Sequence, residues 1–265
     1  MTIEIKSREN PHIKEFLKLK KSKSYRYRSC QIAVEGPNLV GEAVKAGLIP
    51  RVVFVTENYL KYDYEKLFGD NSVDSRILIL TEAIFSYIAE TDTPQTVAAI
   101  FPFNFSESAG KVDDTADPVL ILDHLQDPGN MGTIVRTAAA AGVARVFYSR
   151  GCTDPYSPKA LRATAGAVFR ILPLLEKNPS DLVLKLKKRG LQIVAATADS
   201  GEDYRSVDYT RPTALIVGNE AGGISENILD ISDLRVTIPL KGEVESLNAA
   251  VAAGVLLFEI IRARA

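Results

Sequence analysis

Cysteine is scarce in this chain: Cys30 and Cys152 are the two present, and they stand far apart. A disulfide framework is therefore not expected, and a reducing cytosol suits the composition. Histidine is equally scarce, with His12 and His124 alone. Two histidines and two cysteines do not make the usual closed zinc site, so no metal is expected. A dominant charge sign is lacking too. The 32 basic residues meet 33 acidic ones, for a net charge of −1. That excludes a wholly basic nucleic-acid binder but leaves room for a local basic patch. No apolar run is long enough to cross a bilayer. The opening MTIEIKSREN lacks the apolar stretch of a signal peptide. The expectation is a soluble, cytoplasmic protein with no membrane contact. Material for a core is plentiful: 46% of the 265 residues are apolar and 25% are charged. This suffices for one large domain or two small ones and excludes intrinsic disorder.

The balanced total hides an uneven distribution. Residues 1–28 carry nine basic side chains against three acidic ones, a local net of +6. Lys18, Lys20, Lys21, Lys23, Arg26 and Arg28 crowd its second half, where Tyr25 and Tyr27 alternate with the two arginines. Cations beside aromatic faces suit RNA, whose phosphates pair and whose bases stack. A solvated helix face with Ile13, Phe16, Leu17 and the Leu19–Lys20 stems on the core accounts for the same run, and for a charge run alone it is the commoner case.

Residues 31–101 alternate β-branched runs with helix-like stretches. Strands are expected at Gln31–Val34, Arg51–Thr56, Arg76–Leu80 and Thr96–Phe101, and helices at Asn38–Ala46, Tyr59–Phe68 and Glu82–Ala89. This is a small α/β domain, set at residues 1–103. Residues 104–117 are polar and aperiodic and read as a linker. Residues 118–265 repeat the alternation more strongly. Strands are expected at Val119–Asp123, Arg145–Tyr148, Gln192–Ala196, Thr213–Val217 and Arg235–Pro239. Helices are expected at Asn130–Ala141, Pro158–Thr164, Ser180–Arg189, Glu226–Asp230 and Ser246–Arg262. Wholly apolar strands separated by helices predict a buried parallel sheet, whose ligands bind at the carboxyl ends of the strands.

Three segments follow such ends. After the first strand, Asp127-Pro-Gly-Asn130 opens a helix whose free N–H groups favour an anion, with Arg136 further along it. An ordinary cap plus a surface arginine explains the segment equally well. Next, Ala214–Gly223 runs an apolar strand into a glycine-rich turn around one carboxylate, Glu220. It matches neither the dinucleotide fingerprint nor a P-loop. A plain strand-to-helix turn would not need that carboxylate. The third segment, Ile238–Asn248, offers Ser246 as a helix N-cap before the small residues Ala249–Gly254. Alone, it reads as a capped C-terminal helix.

Together the segments resemble a known family. N-x-G-x-x-x-R at Asn130–Arg136, I-V-G-N-E-A-G-G-I-S at 216–225 and I-P-L-K-G-E-V-E-S-L-N at 238–248 look like the three motifs of the SpoU-type RNA 2′-O-ribose methyltransferases of the SPOUT superfamily. Ser7–Pro11 and Val34–Val40 resemble the family's amino-terminal substrate-binding domain, which is similar to small RNA-binding domains of ribosomal proteins. The resemblance implies a deep trefoil knot, a homodimer and S-adenosylmethionine as cofactor. It implies catalytic roles for Asn130, Arg136, Glu220, Ser246 and Asn248. It places Ala196, Thr197, Gly218, Asn219, Glu220, Gly223, Ile238, Leu240, Leu247 and Asn248 in the cofactor pocket. Arginine is the family's favoured base, yet a group with a pKa above about 12 suits a phosphate clamp better. His124 is read as structural. The large amino-terminal domain favours large-subunit ribosomal RNA as substrate. Transfer RNA is the alternative, and so is a non-catalytic RNA-binding or assembly factor.

Overall fold

The computed structural model describes residues 2–68, 76–90, 96–105 and 117–264. Of the expected linker, residues 106–116 lie outside them. Contacts divide the chain into two compact units. One is Met1–Phe105 with Tyr156–Phe169, the other Ser106–Pro155 with Arg170–Ala265.

The first unit begins with β1 (Thr2–Ile5), α1 (Pro11–Lys21), α2 (Lys23–Ser29), β2 (Gln31–Glu35), α3 (Pro37–Lys45) and β3 (Val52–Val55). It continues with α4 (Glu57–Tyr62), α5 (Tyr64–Phe68), β4 (Arg76–Leu80), α6 (Glu82–Ile88) and β5 (Val97–Pro102). The strands form one sheet in the order β1-β4-β3-β5-β2. β1, β4 and β3 run parallel, while β5 runs antiparallel to both β3 and β2. α1 starts where Asn10 accepts the His12 N–H and Pro11 takes the first helical position, a favourable start because proline has no N–H to leave unpaired. Its apolar stripe of Ile13, Phe16 and Leu19 is fully buried. Phe16 meets Phe54 of β3 edge-on, ring centroids 5.2 Å apart.

The second unit carries β6 (Val119–Leu122), α7 (Pro128–Ala140) and β7 (Arg145–Ser149). The chain then leaves it for α8 (Pro158–Thr164), which packs in the first unit. It returns with β8 (Pro173–Glu176), α9 (Pro179–Lys188), β9 (Gln192–Ala196), β10 (Glu202–Asp203) and β11 (Thr213–Val217). α10 (Glu226–Leu229), β12 (Leu234–Thr237) and α11 (Ala249–Arg262) complete it. Seven strands pair in the order β10-β12-β9-β11-β6-β7-β8, every pair parallel. β6 and β11 are buried at every residue, as strands covered on both faces must be. The order reverses at β6: β7 and β8 lie to one side, β11 and β9 to the other. Such a reversal leaves a crevice at the carboxyl ends of the strands.

Several expectations change. The helix expected from Asn130 starts at Pro128, capped by Asp127, whose side chain accepts the Asn130 N–H. The helix expected from Ser246 starts at Ala249, and its cap is Asn248, whose side-chain oxygen accepts the N–H of Ala250 and Val251. β1, β8 and β10 are additional strands. In the second unit, Ala138, Ala249, Ala250 and Ala253 are buried, and an added Cβ at Gly254 would lie 3.6 Å from Thr137. The small residues thus let α11 pack on α7 within one chain. The apolar residues that α11 leaves exposed are Val251 and Phe258.

Candidate active site

The end of β6 holds the glycine-rich turn in place from two sides. Asp123 is fully buried. It accepts the Ser225 N–H at 2.9 Å, the Ser225 hydroxyl at 2.7 Å, and the His124 ring at Nδ1, 2.9 Å away. Burial pushes the carboxyl up, but the Ser225 hydroxyl and N–H, the Ser149 hydroxyl and His124 outweigh it, and the net shift is downward. His124 is left-handed, φ 54°, which costs a residue with a Cβ on the order of 1 kcal/mol. That conformation aims its carbonyl at Asn219, whose Nδ2 donates to it at 2.8 Å. Asn219 in turn accepts the N–H groups of Ala221 and Gly222 through Oδ1 and exchanges two backbone hydrogen bonds with Gly223. The ring of His124 lies against Gly151, where any Cβ would come within 2.7 Å of it.

Gly218 has a role within the turn itself. A Cβ there would stand 2.3 Å from the Gly223 carbonyl carbon. The missing side chain lets the turn close on itself.

Beside the turn, three of the expected catalytic residues meet. Asn248 is fixed by capping α11: its Oδ1 can only accept the two backbone N–H groups, so its Nδ2 must face outward. That Nδ2 donates to Asn130 Oδ1 at 2.9 Å. Asn130 is oriented in consequence, and its Nδ2 donates to Glu220 Oε1 at 2.5 Å. The hydrogen bonds all point toward the carboxylate, which lies near the first turns of α7 and α11 and their partial positive charge. Residues 118 and 90 positions apart are joined by two bonds. Arg136 is exposed on α7 and has no partner among the described residues, and Ser246 is exposed.

A cleft of about 430 Å³ opens at the carboxyl ends of β9, β11 and β12. Ala196, Thr197, Gly218, Asn219, Glu220, Gly223, Ile238, Leu240 and Leu247 line it, as does Ser246. Asn248 does not, nor do Asn130 and Arg136. Ala198, Asp199, Ser200, Ala221, Gly222 and Leu256 also line it. Ala221 and Gly222 belong to the turn already expected there, the end of β9 was the available signal for Ala198–Ser200, and Leu256 comes from α11. A cleft of this size takes a nucleoside-sized ligand. Among the described residues no group of three His, Cys, Asp or Glu side chains could hold a metal ion, and no helix is long and apolar enough to cross a membrane.

The basic run of the first unit divides. Lys18, Lys21, Lys23 and Arg28 are exposed. Lys20 and Arg26, both expected at the RNA surface, are turned inward. Lys20 donates to the Ile88 carbonyl at 2.6 Å and to Glu35 at 3.1 Å, and Arg26 is 3% exposed and donates to the Leu19 carbonyl at 2.6 Å. They satisfy helix ends and a part-buried carboxylate. Tyr25 carries Lys18 over its ring at 4.3 Å, while Tyr27 is stacked on Phe105 at 4.2 Å.

Comparison with known proteins adds an independent line. Residues 117–258 match the SpoU rRNA Methylase family, and residues 10–99 match the MRM3-like substrate binding domain. The chain is 34% identical over 258 residues to the Bacillus subtilis (strain 168) protein named 23S rRNA (guanosine(2553)-2′-O)-methyltransferase RlmP, covering 97% of this chain and 98% of that one. A crystal structure of AdoMet-bound rRNA methyltransferase from Sinorhizobium meliloti superposes with a TM-score of 0.86 at 31% identity, over 98% of both chains. The TrmH/SpoU tRNA modifying enzyme of A. aeolicus superposes with a TM-score of 0.50 at 33% identity, over 57% of this chain and 76% of that one.

Proposed function

The chain belongs to the SpoU rRNA Methylase family, and from that premise we infer that it methylates a ribose 2′-hydroxyl of large-subunit ribosomal RNA. It is an S-adenosylmethionine-dependent RNA 2′-O-methyltransferase. The observation that carries the reading is the hydrogen-bonded trio Asn130, Glu220 and Asn248, drawn from three distant segments to the edge of one cleft. The choice of ribosomal RNA is supported by coverage. The rRNA methyltransferase relatives span both units, whereas the tRNA modifying enzyme spans 57% of the chain.

The cleft suits the cofactor. Val217, Ile238, Leu240 and Leu247 offer an apolar slot for a base, and Asp199 and Glu220 offer carboxylates beside it. When bound, S-adenosylmethionine supplies an electrophilic sulfonium methyl. The chain's part is positioning. The Asn248–Asn130–Glu220 chain of hydrogen bonds fixes the carboxylate so that no reorganisation is needed on substrate binding. The Arg136 guanidinium clamps the phosphate next to the ribose and stabilises charge developing on the hydroxyl oxygen. Ser246 holds the ribose by a hydrogen bond. Such placement lowers a barrier by several kcal/mol.

The remaining assignments belong to this reading. Residues 1–103 bind substrate RNA, with Lys18, Lys21, Lys23 and Arg28 on its phosphates, 104–117 is a linker and 118–265 is catalytic, with Tyr156–Phe169 given to the first unit. Family membership supports a knotted carboxyl-terminal segment and a cytoplasmic location. It also supports a homodimer, for which Val251 and Phe258, 53% and 52% exposed on α11, provide the apolar contact.

Two measurements test the reading. S-adenosylhomocysteine is expected to raise the Tm, and ribosomal RNA from a deletion strain is expected to lack one 2′-O-methyl. No thermal shift would point to a non-catalytic RNA binder. A methyl lost from transfer RNA would replace the substrate.

A further inference from the structure

At the opposite end of α1 from Lys18 and Lys21 stands a second basic cluster. Arg51 immediately precedes β3 and Arg76 opens β4; the two strands pair in register, with Val52 opposite Arg76. His12, in the first turn of α1, feels the charge of both guanidinia. Arg76 Nη1 lies 2.9 Å from His12 Nε2. A guanidinium can only donate, so that ring nitrogen accepts and the proton resides on Nδ1. Nδ1 and Arg51 Nε are buried and make no hydrogen bond among the described residues. Burial, then Arg76 and Arg51, hold His12 below its usual pKa, against Glu15, which raises it. Glu15 is the carboxylate that faces the group: it pairs with Arg51 at 2.6 Å and lies 3.8 Å from His12 Nδ1. Gln31 accepts from Arg51 at 3.3 Å. Arg51 thus has a carboxylate, the Arg76 guanidinium meets only the His12 ring among the described residues, and the two spare N–H donors are buried.

Glu15 offsets one of the two guanidinia, and the cluster keeps a net positive charge on the side of Arg76, which is exposed. The N-terminus of an 11-residue helix adds partial positive charge at the same spot. We propose that Arg51 and Arg76, with His12 holding Arg76 in place, form a phosphate seat for the RNA backbone, separate from the lysines at the far end of α1. From His12 to Lys21 the helix rises about 13 Å, too far for one phosphate to serve both. The seat rests on the reading of the chain as an RNA methyltransferase and adds a contact that fixes the strand's path along the first unit.

The test measures binding of transcribed large-subunit ribosomal RNA to the full chain across a salt series, with Tm recorded for each variant. Arg76→Gln is expected to weaken binding roughly three- to tenfold and to lower the slope of log Kd against log salt by about one phosphate contact, with the Tm unchanged or raised. Glu15→Gln, which leaves Arg51 uncompensated, is expected to tighten binding and steepen the slope. A purely structural cluster predicts the reverse: lower Tm for both variants and the wild-type salt slope. That outcome would overturn the seat. Millimolar inorganic phosphate serves as a second probe. If it raises the wild-type Tm as much as that of Arg76→Gln, it binds elsewhere, and the seat is refuted as a site for free phosphate while the RNA slopes still decide it for RNA. If the wild type binds an unrelated transcript as tightly and Arg76→Gln still loses slope, the seat stands and the ribosomal-RNA reading falls.

Discussion

At the residue scale, Asp123 links stability to function. Its pKa is lower in the folded chain than its ordinary value. Its stabilisation is therefore complete above the unfolded pKa, near 3.9, and is lost as pH falls through the folded value. Asp123→Ala should cost on the order of 2–4 kcal/mol, because Ser225 and His124 lose a charged acceptor. It should also flatten the acid limb of a Tm–pH profile. An unaltered profile would mean the carboxylate does not hold the turn. The glycines of that turn provide a paired test. Gly218→Ala forces a Cβ to 2.3 Å from Gly223, and overpacking of this kind costs roughly 1–3 kcal/mol. Gly222→Ala finds its nearest neighbour at 4.0 Å. Calorimetry with S-adenosylhomocysteine should show weakened binding for Gly218→Ala and near-normal binding for Gly222→Ala. Equal affinities would separate the turn's closure from the cleft.

At the scale of elements, α11 and α1 show what a sequence conveys and what it hides. Buried strands were plain, since β6 and β11 are apolar at every position. The edge strands were not. β1 reads TIEI and β8 reads PLLE, and a strand paired on one side needs no unbroken apolar run. Ser246 and Asn248 are both good caps two residues apart, and local sequence does not choose between them. Asn248→Ala should lower stability by about 1 kcal/mol as a lost cap and lower kcat as well, because Asn130 loses its donor. Ser246→Ala should leave the urea midpoint unchanged. The trio itself could not be read from spacing, since its hydrogen bonds depend on which way each amide points. Lys20 was legible in principle. It follows Phe16 by four residues and Ile13 by seven, which places it on the inward face of α1. Lys20→Ser should therefore destabilise the first unit by roughly 2 kcal/mol, leaving the 12%-exposed Glu35 without its cation. Lys18→Ser and Lys21→Ser should instead raise the RNA KM with the Tm intact.

At the scale of the whole molecule, α11 fixes the expected assembly. Its small residues are spent within the chain, so the proposed dimer depends on the larger apolar side chains left outside. Phe258→Asp should convert a dimer to a monomer in light scattering at micromolar concentration, with turnover falling in parallel if sites are shared. A wild-type chain that is already monomeric under these conditions would end the dimer proposal. The division into units was only partly visible beforehand. Composition marked a break near residues 104–117, but nothing in Pro158–Thr164 distinguishes a helix that stays with its neighbours in sequence from one that crosses to another unit.

That crossing has a consequence for the order in which the chain is made. Phe103 lies 5.1 Å from Tyr156 and 6.4 Å from Phe169, and Phe105 lies 5.0 Å from Tyr156, centroid to centroid. Arg162 pairs with Glu90, and a Cβ at Gly166 would strike Glu42. A nascent chain that has emerged through Phe105 still lacks the residues that cover these rings. At roughly 5–20 residues per second, the missing piece follows several seconds later, and only then is the unit complete. For that interval the ribosome presents an aromatic surface to solvent and to whatever attends nascent chains, so the amino-terminal half of this protein finishes folding on instructions that arrive from its carboxyl-terminal half.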